Sequence, residues 1–236
     1  MAIRQGSSAG NDMGLRLLSL VGPILRANSY LLFEAGRAVL IDPFWNREME
    51  QTISVYADAV DYILLTHEHY DHVCGAAAAR ERYSCPVVAS ERCANILRQP
   101  SQRMLRHFEA FCRLQRFEDR PKSDIDLTYC CSTDVTFAAE LELEWQGHTF
   151  YFRSVPGHSP GSSCILVDET YLFSGDSLLP GQERPSIFPG GSIEAFEKQA
   201  VPYFCSLPRD TKVCPGHFET FNLSEHPSIT LFGEGV

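Results

Sequence analysis

The sequence predicts an α+β fold in which mixed β-sheets are covered by helices. Three observations carry this expectation. Short apolar strands come first, a strand–helix alternation follows, and a second run of strands leads into another strand–helix unit, an order that gives mixed rather than purely parallel sheets. No Gly/Ser-rich linker divides the chain and no repeat recurs at solenoid periods, so one domain is expected over residues 15–236. Of the 236 residues, 44% are hydrophobic and 21% charged, enough apolar material for a sizeable core.

The elements follow in order. The opening MAIRQGSSAGND is small and polar and lacks the apolar stretch of a signal peptide, so residues 1–14 are expected to be disordered. LRLLSLVGPI (15–24), SYLLFEAG (29–36) and RAVLIDP (37–43) read as strands between turn residues. DYILLT (61–66) is a continuous apolar run, as in a strand buried on both faces. CGAAAARERY (74–83) predicts a helix and PVVAS (86–90) a strand. A helical insertion is expected at about 91–122. Ser101 offers an N-cap after Pro100, Met104, Leu105, Phe108, Phe111 and Cys112 follow at helical spacing, and Pro121 ends it. Its apolar side is expected to be core rather than substrate pocket. ELELEWQGHTFYFRSV (140–155) alternates on both sides of a Gln-Gly turn and predicts a hairpin. SSCILVD and TYLFSGD form a further strand pair. SIEAFEKQAVPYFCSL (192–207) predicts a helix interrupted or kinked near Pro202, and TKVCPGH (211–217) a final strand.

Composition removes several function classes. The formal net charge of -10 disfavours nucleic acid as a bulk electrostatic partner. No apolar stretch approaches the roughly 18 to 20 residues of a membrane span. The nine cysteines are odd in number and contain no C-x-x-C pair, which suits reduced thiols rather than a disulfide framework. A soluble, cytoplasmic chain is expected.

LLTHEHYDHVCG (64–75) is the stretch richest in chemistry. His67, His69, Asp71 and His72 fall within six positions where an apolar strand ends, the place where open α/β sheets put their chemistry. His67 and His69 are two apart, so in extended chain they point the same way. Imidazole and carboxylate ligands suit zinc, and also iron or manganese. Three more ligand-type residues follow strands and adjoin glycine: His158 in VPGHSPGSS, Asp176 in LFSGDSL and His217 in VCPGHFE.

This combination, H-x-H-x-D-H followed by G-H-S-P-G-S, S-G-D-S and P-G-H, resembles the metallo-β-lactamase superfamily over roughly residues 15–225. The resemblance implies a four-layer αβ/βα sandwich with two metals at one edge. It implies that His67, His69 and His158 hold one metal, that Asp71, His72 and His217 hold the other, and that Asp176 bridges them. It also implies that Asp42, in LIDP, supports the site from behind the ligands; a simple strand-end turn residue is the alternative. Two adjacent cations, taken as Zn2+ with Fe or Mn as alternatives, would supply a metal-bound hydroxide near neutral pH. Asp71 would orient it and shuttle its proton.

The pattern is most similar to glyoxalase II (hydroxyacylglutathione hydrolase) and its short relatives, which implies hydrolysis of a thioester or related acyl compound. His69 argues against the diiron flavoprotein branch. Where the family has D-H-x-G-G, this chain has Val73, Cys74 and Gly75 after Asp71 and His72, so it departs at Cys74. Few residues follow His217, so the C-terminal helical domain of full-length glyoxalase II is not expected, nor is glutathione the assured carrier. Residues 80–122 hold ten Lys/Arg against five Asp/Glu, so Arg103 and Arg106 are candidates to attract an anionic small-molecule acyl substrate; a solvated helix face is the plainer reading. The loop 177–191 is either substrate-lining or a structural connection. Cys74 is expected to be a buried thiol. Lactone or other ester hydrolysis is the nearest alternative function. An iron-dependent persulfide dioxygenase, which needs only His67, His158 and Asp176, is another. A non-enzymatic binding module is disfavoured by the complete ligand set.

Overall fold

The antiparallel meander expected at the start of the chain opens a seven-stranded sheet in the computed structural model, which describes residues 14–98 and 125–232, the backbone of Arg4–Gln5, and positions 105, 106, 108–110 and 112. Strands β1 (Arg4–Gln5), β2 (Arg16–Val21), β3 (Asn28–Glu34), β4 (Arg37–Ile41), β5 (Ala59–Leu64), β6 (Val87–Ser90) and β7 (Val135–Phe137) lie in that order. β1 to β4 pair antiparallel, and β4, β5 and β6 pair parallel. The change of direction has a local cause. Ala35 and Gly36 take left-handed φ values of 48° and 77°, which closes the two-residue turn between β3 and β4. Parallel neighbours need crossovers. These are α1 (Arg47–Tyr56), then α2 (Tyr70–Val73) with α3 (Ala76–Tyr83).

A second sheet of six strands has the order β13-β12-β11-β10-β9-β8. It comprises β8 (Glu140–Trp145), β9 (His148–Ser154), β10 (Ser163–Val167), β11 (Tyr171–Gly175), β12 (Lys212–Pro215) and β13 (Phe221–Asn222). Only β11 and β12 pair parallel; the other neighbours are antiparallel. Gln146 and Gly147 have φ 53° and 83°, so the Gln-Gly signal is a true hairpin turn. Burial follows strand position. Every residue of the central β10 is buried, whereas β8 at the sheet's edge exposes Glu140, Glu142 and Glu144, charges that discourage edge-to-edge pairing.

The chain packs as two compact units. One takes in the described residues up to Leu65, then His69–Val88 and Ala94–Val135; the other takes in Thr66–Glu68, Ala89–Cys93 and everything from Thr136. The first buries Leu20, Leu31, Leu32, Leu40, Ile41 and Met49. The second is centred on Val155, Leu166, Phe196, Phe204 and Val213. Each large apolar side chain contributes about 1.5–3 kcal/mol by leaving water.

The helix expected at 74–83 is α3, which begins at Ala76; the four-residue α2 precedes it over Tyr70–Val73. Other elements depart from expectation. Helix α1 was not read from the sequence; Asn46 caps it by accepting from Met49 N at 2.8 Å, and only Met49, Thr52 and Ile53 are buried, too sparse an apolar stripe to announce itself. The helix over 192–207 widens to a π-helical turn at Phe196–Ala200, between α5 (Ile193–Ala195) and α6 (Val201–Ser206). That turn absorbs the backbone donor Pro202 lacks. The strand at 212–215 is not the last: β13 pairs with it, and α7 (Pro227–Phe232) follows. In the insertion, α4 (Glu91–Arg98) and positions 105, 106, 108–110 and 112 are helical. Ser101, Met104, Phe111 and Pro121 lie outside the described residues, as does most of the expected N-terminal disordered segment. Among the described residues no helix is long and apolar enough to cross a membrane.

The buried His226 predicts an acid-sensitive second unit. Its Nδ1 accepts from Ser228 N at 3.3 Å and meets Ser228 Oγ at 2.7 Å, and its ring stacks on Phe221 at 5.8 Å. Burial lowers its pKa from 6.5 to about 4. Above pH 6.5 both folded and unfolded states hold it neutral; as pH falls from 6.5 towards 4 only the unfolded state gains the proton, and stability drops by about 3 kcal/mol in all. Urea unfolding of wild type and His226→Asn at pH 7 and pH 5 should show a smaller acid loss in the variant. Equal losses would contradict this.

Candidate metal centre

Residues 66–72 form one continuous run that leaves β5 and passes from one unit to the other between Glu68 and His69. Its ligand-type side chains therefore divide into two sets, and each set has partners within its own unit.

In the second unit the run is pinned to β10, where Thr66 O accepts from Ser163 N at 2.8 Å and from Ser163 Oγ at 2.9 Å. Thr66 Oγ1 lies 3.0 Å from His67 Nδ1. Gly175 makes room for this approach: at φ +51° a Cβ there would stand 2.6 Å from Thr66 Oγ1 and 3.4 Å from His67 Nδ1, so the glycine before Asp176 is a steric requirement. Gly216 N donates to Gly175 O at 2.8 Å, which sets the end of β12 beside the end of β11. His158, Asp176 and His217 then meet. Asp176 Oδ2 is 3.5 Å from His158 Nε2 and 3.5 Å from His217 Nε2. The rings of His67 and His158 cross edge to face at 5.1 Å.

His158 Nδ1 donates to the backbone carbonyl of Ser186 at 2.6 Å, and its ring packs on Phe188 at 5.5 Å. A carbonyl can only accept, so neutral His158 carries its proton on Nδ1 and presents a lone pair at Nε2. The loop 177–191 thus has a structural task at Ser186.

In the first unit His69 begins α2, and Asp71 and His72 lie on it; all three are buried. His72 Nδ1 is 3.2 Å from Asp42 Oδ2, and His72 Nε2 is 3.6 Å from Asp71 Oδ2. Asp42 turns the chain at φ +48° and its carboxylate holds a ligand-type imidazole. Ser29 steadies that turn, its Oγ donating to Asp42 O at 2.6 Å.

The donor set fits a divalent metal. Separations of 3.5–3.6 Å exceed a good hydrogen bond. They match two ligands on one ion, which stand about 3.4 Å apart when each is about 2.0–2.1 Å from a tetrahedral centre. Donor atoms of His67 and His158, and of Asp71 and His72, also lie within 4.8 Å of each other. A carboxylate that orients the back nitrogen of an imidazole, as Asp42 does, is the usual support of a metal-binding histidine. Asp42→Ala should therefore weaken metal binding by about 10–100-fold, read by chelator competition; an unchanged affinity would show that Asp42 serves only the turn.

Sequence reasoning passed over Glu68. It sits between His67 and His69 in sequence, at the position that alternation in extended chain assigns to the opposite side. It is 2% exposed and accepts from Ser159 Oγ at 3.1 Å and Gly161 N at 3.3 Å. Burial raises its pKa. It ties the loop of His67 to the loop of His158, a role that no spacing pattern announces. Cys74 is a thiol pushed up to about 12 by burial and by Asp71, far from the thiolate range a redox or ligand role needs in the absence of metal. Arg106 is exposed on the helical part of the insertion, and Arg103 lies outside the described residues.

Comparison with known proteins agrees with this geometry. A model of the metallo-beta-lactamase superfamily matches residues 22–217. The chain is 28% identical over 202 residues to the probable metallo-hydrolase YqgX of Bacillus subtilis, covering 84% of this chain and 87% of that one. It is 27% identical over 200 residues to a hydroxyacylglutathione hydrolase of Polaromonas, covering 83% of this chain and 64% of the longer relative. Among solved structures it is similar to the BLEG-1 B3 metallo-beta-lactamase, with a TM-score of 0.70 and 27% identity over 92% of this chain and 100% of the other. The two mixed sheets with their helices are the αβ/βα sandwich fold of that superfamily, and this chain belongs to the metallo-beta-lactamase superfamily as one of its metal-dependent hydrolases.

Proposed function

We propose that the chain is a dinuclear metal-dependent hydrolase of a thioester or related acyl substrate. The observation that carries the reading is the His158–Asp176–His217 row, in which one carboxylate oxygen stands 3.5 Å from two imidazole nitrogens. In this reading His67, His69 and His158 hold one metal, Asp71, His72 and His217 hold the other, and Asp176 serves both. Zinc is the proposed metal; the same donors accept iron or manganese. When bound, a metal pair lowers the pKa of water into the neutral range and polarises the scissile carbonyl.

The chain's own residues do the rest. Asp71, buried on α2, orients the attacking oxygen and carries its proton towards the leaving thiolate. Asp42 and the Ser186 carbonyl fix the imidazoles of His72 and His158. Arg106, with Arg103, draws an anionic acyl carrier towards the site. The nine reduced thiols suit a cytoplasmic setting. Similarity to a hydroxyacylglutathione hydrolase favours thioesters. Similarity to BLEG-1 favours including a β-lactam among the substrates tried.

The test is hydrolysis by metal-loaded protein of glutathione and coenzyme A thioesters, simple lactones and a chromogenic β-lactam, with oxygen uptake on glutathione persulfide followed in parallel. Thioester cleavage that a chelator abolishes is expected. Oxygen uptake on the persulfide without any hydrolysis would overturn the proposal in favour of dioxygenase chemistry.

A further inference from the structure

We infer that Tyr129 and Tyr70 clamp the α2 turn from both ends, and so set the position of Asp71 and His72 as ligands; the inference rests on the dinuclear reading above. Helix α2 has four residues. A helix that short does not hold itself, because fixing its first turn costs more than its few hydrogen bonds return. Its last carbonyls also lack partners within the helix. Yet it carries two buried candidate ligands.

The holding contacts come from one short segment. Tyr129 Oη donates to Val73 O at the end of α2. Tyr70 Oη, at its start, accepts from Asp126 N at 3.1 Å. The two rings meet edge to face at 5.5 Å and 88°, and Phe108 of the helical insertion packs on Tyr70 at 6.1 Å. Tyr70, Tyr129 and Phe108 are all buried.

The segment that grips α2 is anchored elsewhere. Asp126 Oδ1 accepts from Thr128 N at 2.8 Å and Thr128 Oγ1 at 2.6 Å, and Tyr129 N donates to Asp126 O at 3.1 Å, which closes a self-contained turn. Cys131 N donates to Leu97 O of α4 at 3.2 Å, and Asp134 N to Val87 O of β6 at 2.8 Å. The turn at 126–129 is therefore a fixed frame, and α2 is the part it positions. Tyr129 and Tyr70 are positioning residues that act through Asp71 and His72.

Tyr129→Phe tests this, because it removes the hydroxyl and keeps the ring. Metal affinities are read by chelator competition and by the visible spectrum of the cobalt-substituted protein, with thermal unfolding of the metal-free protein as a control. Tyr129→Phe is expected to weaken one of the two metals by about 10-fold or more and leave the other unchanged. Tyr70→Phe, which removes only the acceptor for Asp126 N, should act in the same direction and serves if the first variant folds poorly. Tyr203→Phe, the same change in the second unit's core, should leave both affinities alone. Wild-type affinity for both metals in Tyr129→Phe and Tyr70→Phe would overturn the inference. A wild-type protein that takes up only one metal would instead overturn the dinuclear reading on which it rests.

Discussion

Asp176→Ala is expected to lower kcat/KM for the natural substrate by about 10³-fold or more, equivalent to about 4 kcal/mol of lost transition-state stabilisation. The reason is geometric. Asp176 Oδ2 is the one oxygen that stands 3.5 Å from both His158 Nε2 and His217 Nε2. A methyl group there leaves two imidazoles without the carboxylate they share, so on the proposed dinuclear reading both metal positions would lose a donor at once. Asp176→Asn keeps the shape but removes the charge, and should fall between wild type and alanine. The loss should appear in kcat rather than in KM, since the carboxylate acts on the reacting centre. A variant with unchanged kcat would mean that the chemistry lies elsewhere.

Gly75→Ala should be the most damaging single-methyl change for stability. A Cβ there would stand 2.5 Å from Pro43 O and 2.6 Å from Phe44 O, and closer still to the Phe44 carbonyl carbon. All three are backbone atoms, so no side chain can rotate away. Gly75 N also donates to Pro43 O at 2.9 Å, which holds the two segments together at the clash. The expected cost is about 4 kcal/mol or more, a fall in Tm of about 10 °C for a chain of this size. Gly14→Ala, with nothing within 4 Å of the new methyl, should be neutral. Similar Tm values for the two variants, measured by calorimetry, would contradict the account. Because Gly75 follows α2 closely, Gly75→Ala should also weaken metal binding.

The same residue shows how far the sequence could be read. The superfamily's D-H-x-G-G is broken here by Cys74, and the departure looked significant. The structure gives Cys74 an ordinary helical φ of −57°, which needs no glycine, while the close approach of Pro43 and Phe44 falls on Gly75 alone. The ligand-type residues were legible because each sits where an apolar run stops, a pattern written in residue type and order. The hairpin was legible through Gln146 and Gly147, whose left-handed φ values demand turn chemistry. What escaped depends on contacts between distant segments. Glu68 looks like a spacer until Ser159 and Gly161 are seen to donate to it. Helix α1 buries only three side chains. Tyr70 and Tyr129 are ordinary aromatics in sequence, and only tertiary packing makes them a clamp.

The central claim is that these imidazoles and carboxylates hold a metal pair. Its most direct test is metal content by mass spectrometry, on protein purified without added metal and again after reconstitution, for wild type and Asp176→Ala side by side. The account predicts about two divalent ions per chain in the wild type, with fewer in the variant. A wild-type chain that holds no metal and takes none up, or a variant that binds as much as wild type, would contradict it.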